Sequence, residues 1–283
     1  MRPAPTMHGL VEAYLAARRS MGFDLDIAGS QLLAFARFAD QTGHRGPLTV
    51  ALAVRWAQHA RRATPLTWAR RLEMLRPFMT YRAQFDAGTE IVPTRLFGPA
   101  HRRLVPHIYT EQEVESLLHA AEQLRPINGL RPLTYSTLFG LLASTGLRIS
   151  EALTLTPTDV DLLGESLRVR QTKFRKTRLV PLHPTTAAAL RRYAHARRRR
   201  VSDRRIETFF VSDHGTPLVY RTVHHTFAIL RAQLGWIGRG DYPAPRLHDL
   251  RHTYLCRTLL RSYQQHQSVE QVIDVLSTYV GHA

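Results

Sequence analysis

His248-Asp249-Leu250-Arg251-His252-Thr253 opens an apolar helical stretch directly after the loop Pro243-Ala244-Pro245. Prolines interrupt a helix upstream, so His248 reads as the start of a helix rather than its middle. His248 and Arg251 then stand near a helix N-terminus, where free backbone amides and the helix dipole favour an anion such as a phosphate. The bare pattern His-x-x-Arg is weak: it recurs at His59 to Arg62 and at His195 to Arg198, in a chain with 15 histidines. The helix-opening context is what distinguishes the third copy.

Upstream, Leu133 to Ala143 is strongly apolar and reads as a buried core helix. Thr145-Gly146 breaks it, Arg148 sits at the break, and Ile149-Ser150-Glu151-Ala152-Leu153 begins a short helix. Thr110-Glu111-Gln112-Glu113 has the form of a capping box opening a helix to about Leu124. Ser166 to Gln171 and Arg178 to Leu182 read as strands joined by a turn at Lys173 to Thr177, and Phe209-Phe210-Val211 as a candidate third strand. Thr185 to Arg200, Val223 to Leu234, Leu247 to Leu260 and Val269 to Tyr279 supply further helices. The fold class expected is mainly α with a small antiparallel sheet (α+β).

The N-terminal part reads differently. Val11 to Arg19, Ser30 to Gln41, Val50 to Ala63 and Leu66 to Gln84 each carry apolar residues at helical spacing, with Gly22, Gly43 and Pro65 as breakers. The organisation expected is a helical domain over residues 1–85, a basic linker over 86–106 carrying Arg95, Arg102 and Arg103, and a second domain over 107–283. A length of 283 residues with 44% hydrophobic content suits two domains with real cores.

Net charge is +17 with histidines neutral, which points to a polyanionic partner bound through phosphate contacts. Nucleic acid is favoured over a membrane surface, because the basic residues spread through both halves rather than forming one amphipathic segment. No apolar run approaches the roughly 18 residues that span a bilayer, and the N-terminus has no secretory signal, so a soluble, cytoplasmic protein is expected. On charge alone, a basic protein of nucleic-acid assemblies without chemistry is an equal reading. The single cysteine, Cys256, reads as a buried, inert thiol. Of 39 basic residues only Lys173 and Lys176 are lysines. Arginine's pKa is too high for proton donation, whereas a lysine ammonium can be tuned to release a proton.

Taken together, Arg148 in its Gly-Leu-Arg-x-Ser-Glu-Ala-Leu string, a lysine in the following hairpin, His248 with Arg251, and Gly281-His282 resemble the tyrosine recombinase (phage integrase) family. The resemblance spans roughly residues 107 to 282; the first domain matches that family's core-binding domain in size, helicity and position. It implies a site-specific DNA recombinase or integrase of a mobile element that cleaves and rejoins strands through a 3′-phosphotyrosine intermediate. Arg148 and Arg251 would hold the non-bridging phosphate oxygens. Lys173 would protonate the departing 5′-oxygen, His248 would transfer protons or position the phosphate, and His282 would bond the phosphate and support the nucleophile. Glu151 would orient Arg148. No cofactor or metal is implied, since the covalent intermediate conserves the energy of the broken phosphodiester. The partners implied are double-stranded DNA and further copies of the chain in a tetrameric synapse.

In that family the nucleophilic tyrosine follows the last histidine on a later segment, past Ala283, so residues 1–283 alone are expected to be deficient in cleavage. Tyr279 reads as packing, Tyr254 and Tyr263 as core or groove residues, and His224-His225 as surface or groove residues. The alternative is a non-catalytic, regulatory DNA-binding protein derived from such an enzyme. A zinc hydrolase using His248, His252 and His282 fits poorly: Asp249 stands where the metalloprotease arrangement needs glutamate, and the neighbouring arginine would repel the metal. Arg70, Arg71 and Arg175 are candidate DNA contacts.

Overall fold

In a computed structural model, the residues described are 6–59, 64–170, 177–201 and 207–280. The chain divides into two compact units, Met1–Arg103 and Leu104–Ala283, so the boundary falls inside the 86–106 stretch.

The first unit contains, among the described residues, four helices: α1 Met7–Ser20, α2 Asp26–Gln41, α3 Val50–Gln58 and α4 Pro65–Ala83. Thr6, Thr49 and Thr64 cap α1, α3 and α4, each accepting a bond from a first-turn amide. Pro65 begins α4 rather than breaking it, because the first helical position needs no amide proton. The apolar stripes meet in a core built on Phe35, Trp56, Leu75, Phe78 and Met79, with Phe35 edge-on to Trp56 at 5.4 Å. Val92 is part of that core, and Arg76 fastens the segment beyond α4 by donating to the Val92 carbonyl at 3.0 Å.

The second unit begins on the capping box, formed in both directions: Thr110 N–H donates to Glu113 Oε2 at 2.7 Å and Glu113 N–H to Thr110 Oγ1 at 3.1 Å. α5 Glu111–Glu122 packs on α6 Arg131–Thr145, the central helix, buried on nearly every side. After α7 Ile149–Thr154 comes a three-stranded antiparallel sheet, ordered β1 Val160–Asp161, β2 Ser166–Val169 and β3 Arg178–Pro181, with Val169 opposite Arg178. α8 Pro184–Arg200, α9 Tyr220–Gln233, α10 Asp249–Gln264 and α11 Val269–Val280 complete it. The architecture is mainly α with a small antiparallel sheet, as expected.

Two expectations are corrected. Phe209-Phe210-Val211 is not a strand of the sheet; Val211 makes only an isolated bridge to Pro217. Its polar groups are satisfied elsewhere: Phe209 N–H donates to the Leu155 carbonyl at 2.6 Å and Val211 N–H to the Tyr193 hydroxyl at 2.9 Å, while Phe210 stacks on Tyr193. The third strand is the two-residue β1, too short to carry a periodic signal. Cys256 is exposed, not buried. It shares a face of α10 with Leu260 and Tyr263, 57% and 67% exposed, and among the described residues nothing covers that face.

Candidate active site

α6 ends on Gly146 in the left-handed region (φ 63°), its amide returning to the Leu142 carbonyl at 3.0 Å. A Cβ there would also lie 2.5 Å from Tyr254 Cδ1, so the position demands glycine twice over. The chain then turns extended at Arg148 and re-enters a helix at Ile149. Glu151, in the first turn of α7, accepts the Arg148 amide at 2.9 Å and an Arg148 guanidinium N–H at 2.9 Å. A backbone bond and a side-chain bond to one carboxylate hold Arg148 at the break.

The same carboxylate receives Arg178 from β3, Nη1 to Oε1 at 3.1 Å and Nη2 to Oε2 at 2.8 Å. Burial pushes the Glu151 pKa up, but the Arg178 and Arg148 bonds outweigh it and hold the carboxyl below its ordinary value, hence ionised. Arg178 is the residue that sequence reasoning missed as part of the site. Its signal was present: an arginine at the first position of a strand returning from the lysine-bearing turn.

Arg251, on the first turn of α10, is 3% exposed and donates through Nη1 to the Gly146 carbonyl at 2.7 Å across 105 residues of sequence. Burial and then the adjacent Arg148 charge lower its pKa to about 10, so it stays cationic at neutral pH. Arg148 and Arg178 thus share Glu151, and Arg251, bonded to Gly146, lies close enough for the Arg148 and Glu151 charges to act on it. His248 stands at the residue before α10 without a side-chain capping bond and meets His252 edge-on, ring centroids 5.0 Å apart. Although exposed, its ring is crowded: desolvation, then the His252 and Arg251 charges, lower its pKa to about 4, leaving it neutral at pH 7. Asp249, wholly buried, anchors this turn by accepting the Arg246 amide at 2.8 Å and its guanidinium at 2.6 Å.

Tyr254 and Tyr279 stack at 5.7 Å beside the cluster, and Tyr279 packs against the core, where burial and its bond to Tyr254 raise its pKa. Tyr263 and His224-His225 are exposed. Lys173, Lys176, Arg175 and His282 lie outside the described residues. In the first unit, Arg70 Nε donates to the Ala100 carbonyl at 3.0 Å; Arg71 stacks on Trp56 and donates to the Trp56 carbonyl at 3.0 Å. A groove of about 420 Å³ between α5, α6 and α8, floored by Leu118, Gly140 and Leu141, is lined by none of the cluster residues. Among the described residues no helix is long and apolar enough to cross a membrane.

Three comparisons bear on this arrangement. The "Putative integrase/recombinase y4rB" of Sinorhizobium fredii is 40% identical over 284 residues, spanning 98% of this chain and 89% of that protein. The "Tyrosine recombinase XerC" of Chlamydia caviae is 31% identical over 191 residues, 66% of this chain and 57% of that protein. The Tn1549 transposon integrase, solved in complex with transposon right end DNA, superposes with a TM-score of 0.70 at 17% identity over 99% of this chain and 92% of the solved one, a likeness of fold. Residues 107–274, which hold Arg148, Glu151, Arg178, His248 and Arg251, match the model of the phage integrase family, and the chain belongs to that family of tyrosine recombinases.

Proposed function

We propose that this chain binds duplex DNA and activates one backbone phosphate for strand cleavage and rejoining through a 3′-phosphotyrosine intermediate. The observation that carries the reading is the convergence of Arg148 and Arg251, from elements far apart in sequence, around the Gly146 turn and Glu151. The guanidinium groups of Arg148, Arg178 and Arg251 gathered at Glu151 and Gly146 suit a phosphodiester whose charge grows in a pentacoordinate transition state. Arg148 and Arg251 hold the non-bridging oxygens in this reading, and each contributes on the order of 3 kcal/mol to the transition state, like one oxyanion donor. Glu151 and Arg178 frame them.

Lys173 protonates the departing 5′-oxygen, and His282 bonds the phosphate. His248, neutral at pH 7, accepts rather than donates a proton until a phosphate arrives and favours its charged form. Tyr254 and Tyr279 spend their rings and hydroxyls on each other, which argues against either as nucleophile. The attacking tyrosine in this reading is neither Tyr254 nor Tyr279, and copies of the chain assemble in a tetrameric synapse. Arg175 joins the DNA backbone contacts, and Arg70 and Arg71 offer phosphate the N–H groups not already given to carbonyls. The soluble, cytoplasmic setting follows from the DNA substrate, and the 1–85, 86–106 and 107–283 division from the family's two-domain plan.

The test combines binding with covalent capture on a nicked suicide duplex. Residues 1–283 should bind DNA with an affinity falling steeply with salt, and form no denaturant-resistant adduct alone. Mixing with a full-length, Arg148-defective relative should restore an adduct if a partner donates the tyrosine. Arg148→Lys and Arg251→Lys in an adduct-competent form should reduce cleavage about 100- to 1000-fold while binding changes little. Equal losses of binding and cleavage would favour the non-catalytic, regulatory reading.

A further inference from the structure

Two segments remote in sequence, 105–109 at the start of the second unit and the loop 235–247 leading into α10, are stapled by one side chain. Arg239 donates to both oxygens of Glu113, Nη1 to Oε1 at 2.7 Å and Nη2 to Oε2 at 2.6 Å, and through Nη2 to the Ile108 carbonyl at 2.8 Å. Its backbone amide donates to His107 Nδ1 at 3.3 Å. His107 Nε2 lies 3.2 Å from Arg239 Nη2 and 3.5 Å from Glu113 Oε2, so the imidazole is enclosed by the same fork. Beside the staple, Asp241 N–H donates to the Val105 carbonyl at 2.9 Å and Val105 N–H to Asp241 Oδ2 at 2.8 Å. Gly240 lies so close to the Val105 carbonyl that any Cβ would collide with it.

The stapled segment runs straight into the first turns of α10. Tyr109 N–H donates to Thr253 Oγ1 at 2.9 Å and its hydroxyl to the Arg246 carbonyl at 3.0 Å. Thr253 Oγ1 in turn donates to the Asp249 carbonyl at 2.8 Å, and Arg257 reaches the Tyr109 carbonyl at 3.1 Å. Arg246 and Asp249, which these bonds locate, flank His248. An ion pair as exposed as Arg239–Glu113 adds little to stability by itself, but a two-point fork fixes direction as well as distance.

We propose that Arg239, with Glu113 and His107 as its partners, is a positioning residue of the phosphate site: it seats residues 105–109 against α10 and so holds His248 and Arg251 in register with Arg148. The inference rests on reading that cluster as the phosphate-activating centre. Arg239 itself touches no reacting atom.

The test is made on the full chain without DNA. Histidine ring signals give the His248 titration, and amide exchange at 249–253 is compared with 138–142 in the centre of α6. His248 faces His252, Arg251, Arg246 and Asp249, so its midpoint reports how closely these groups are held around it. In Arg239→Ala the His248 midpoint should move up from about 4 toward 6.5, and exchange at 249–253 should quicken roughly tenfold while 138–142 is unchanged. Arg239→Lys should not rescue either signal, because an ammonium keeps the charge and loses the fork. Glu113→Gln, which retains an oxygen to cap Thr110, should shift both signals the same way and serves if Arg239→Ala does not fold.

Unchanged titration and exchange in both Arg239→Ala and Glu113→Gln overturn the proposal; so does equal quickening at 138–142, which marks a purely global effect. Neither result affects the phosphate reading, which stands or falls on the Arg148→Lys and Arg251→Lys cleavage assay.

Discussion

Arg178 and Glu151, 27 residues apart in sequence, meet in a two-point ion pair, and the same carboxylate holds both the amide and the guanidinium of Arg148. One buried anion therefore sets the direction of two cations.

Removing that anion should be costly. Glu151→Ala removes the buried carboxylate that Arg148 and Arg178 both bond, and a loss of about 3–5 kcal/mol is expected in urea unfolding. Glu151→Gln should lose less, because its carbonyl still accepts one bond. The folded-state pKa of Glu151 lies below its unfolded value. Its contribution is therefore present above the ordinary glutamate pKa and lost as pH falls through the folded one. The wild-type minus Glu151→Gln stability difference should shrink in acid; a constant difference would contradict the assignment.

His248 gives a second pH signature at higher pH. Its pKa is about 4 in the folded chain against 6.5 ordinarily, so the unfolded chain binds protons more readily between those values. Stability owed to His248 should be complete above about 6.5 and decline as pH falls toward about 4. Thermal midpoints of His248→Gln, compared with wild type across that window, should show the slope reduced.

Gly146→Ala tests the turn that carries Arg148 and receives Arg251. Left-handed backbone costs a residue with a Cβ about 1–2 kcal/mol, and the collision with Tyr254 adds to it. The variant should unfold at lower urea, and the Tyr254–Tyr279 stack should loosen, visible as altered near-ultraviolet dichroism.

Cys256 should react stoichiometrically with a thiol reagent in the native state, since its side chain is exposed on α10. Reaction only after denaturant is added would contradict that exposure.

Much of this molecule is legible in one dimension because its decisive features are local. The capping box at Thr110 and Glu113, the glycine stop at Gly146 and the helix start at His248 depend on residues within one turn of each other. So does the bond by which Glu151 orients Arg148, and the arginine bias that draws attention to Lys173 is pure composition. The strand assigned to Phe209–Val211 went astray for a complementary reason: a short apolar run looks the same whether its amides enter a ladder or bond Tyr193 and Leu155.

The sequence by itself determined the family resemblance, the helical plan and the residue types suited to a phosphate, since these follow from periodicity, caps and spacing along the chain. Only the tertiary structure decided that Glu151 is shared by Arg148 and Arg178, that Arg251 is tied to Gly146, and that Arg239 joins Glu113 to the loop before α10. Those pairings link positions 27 to 126 residues apart. A long-range ion pair leaves no periodic trace: many arginines in this chain could face a given carboxylate, and packing of α6, β3 and α10 selects which ones do.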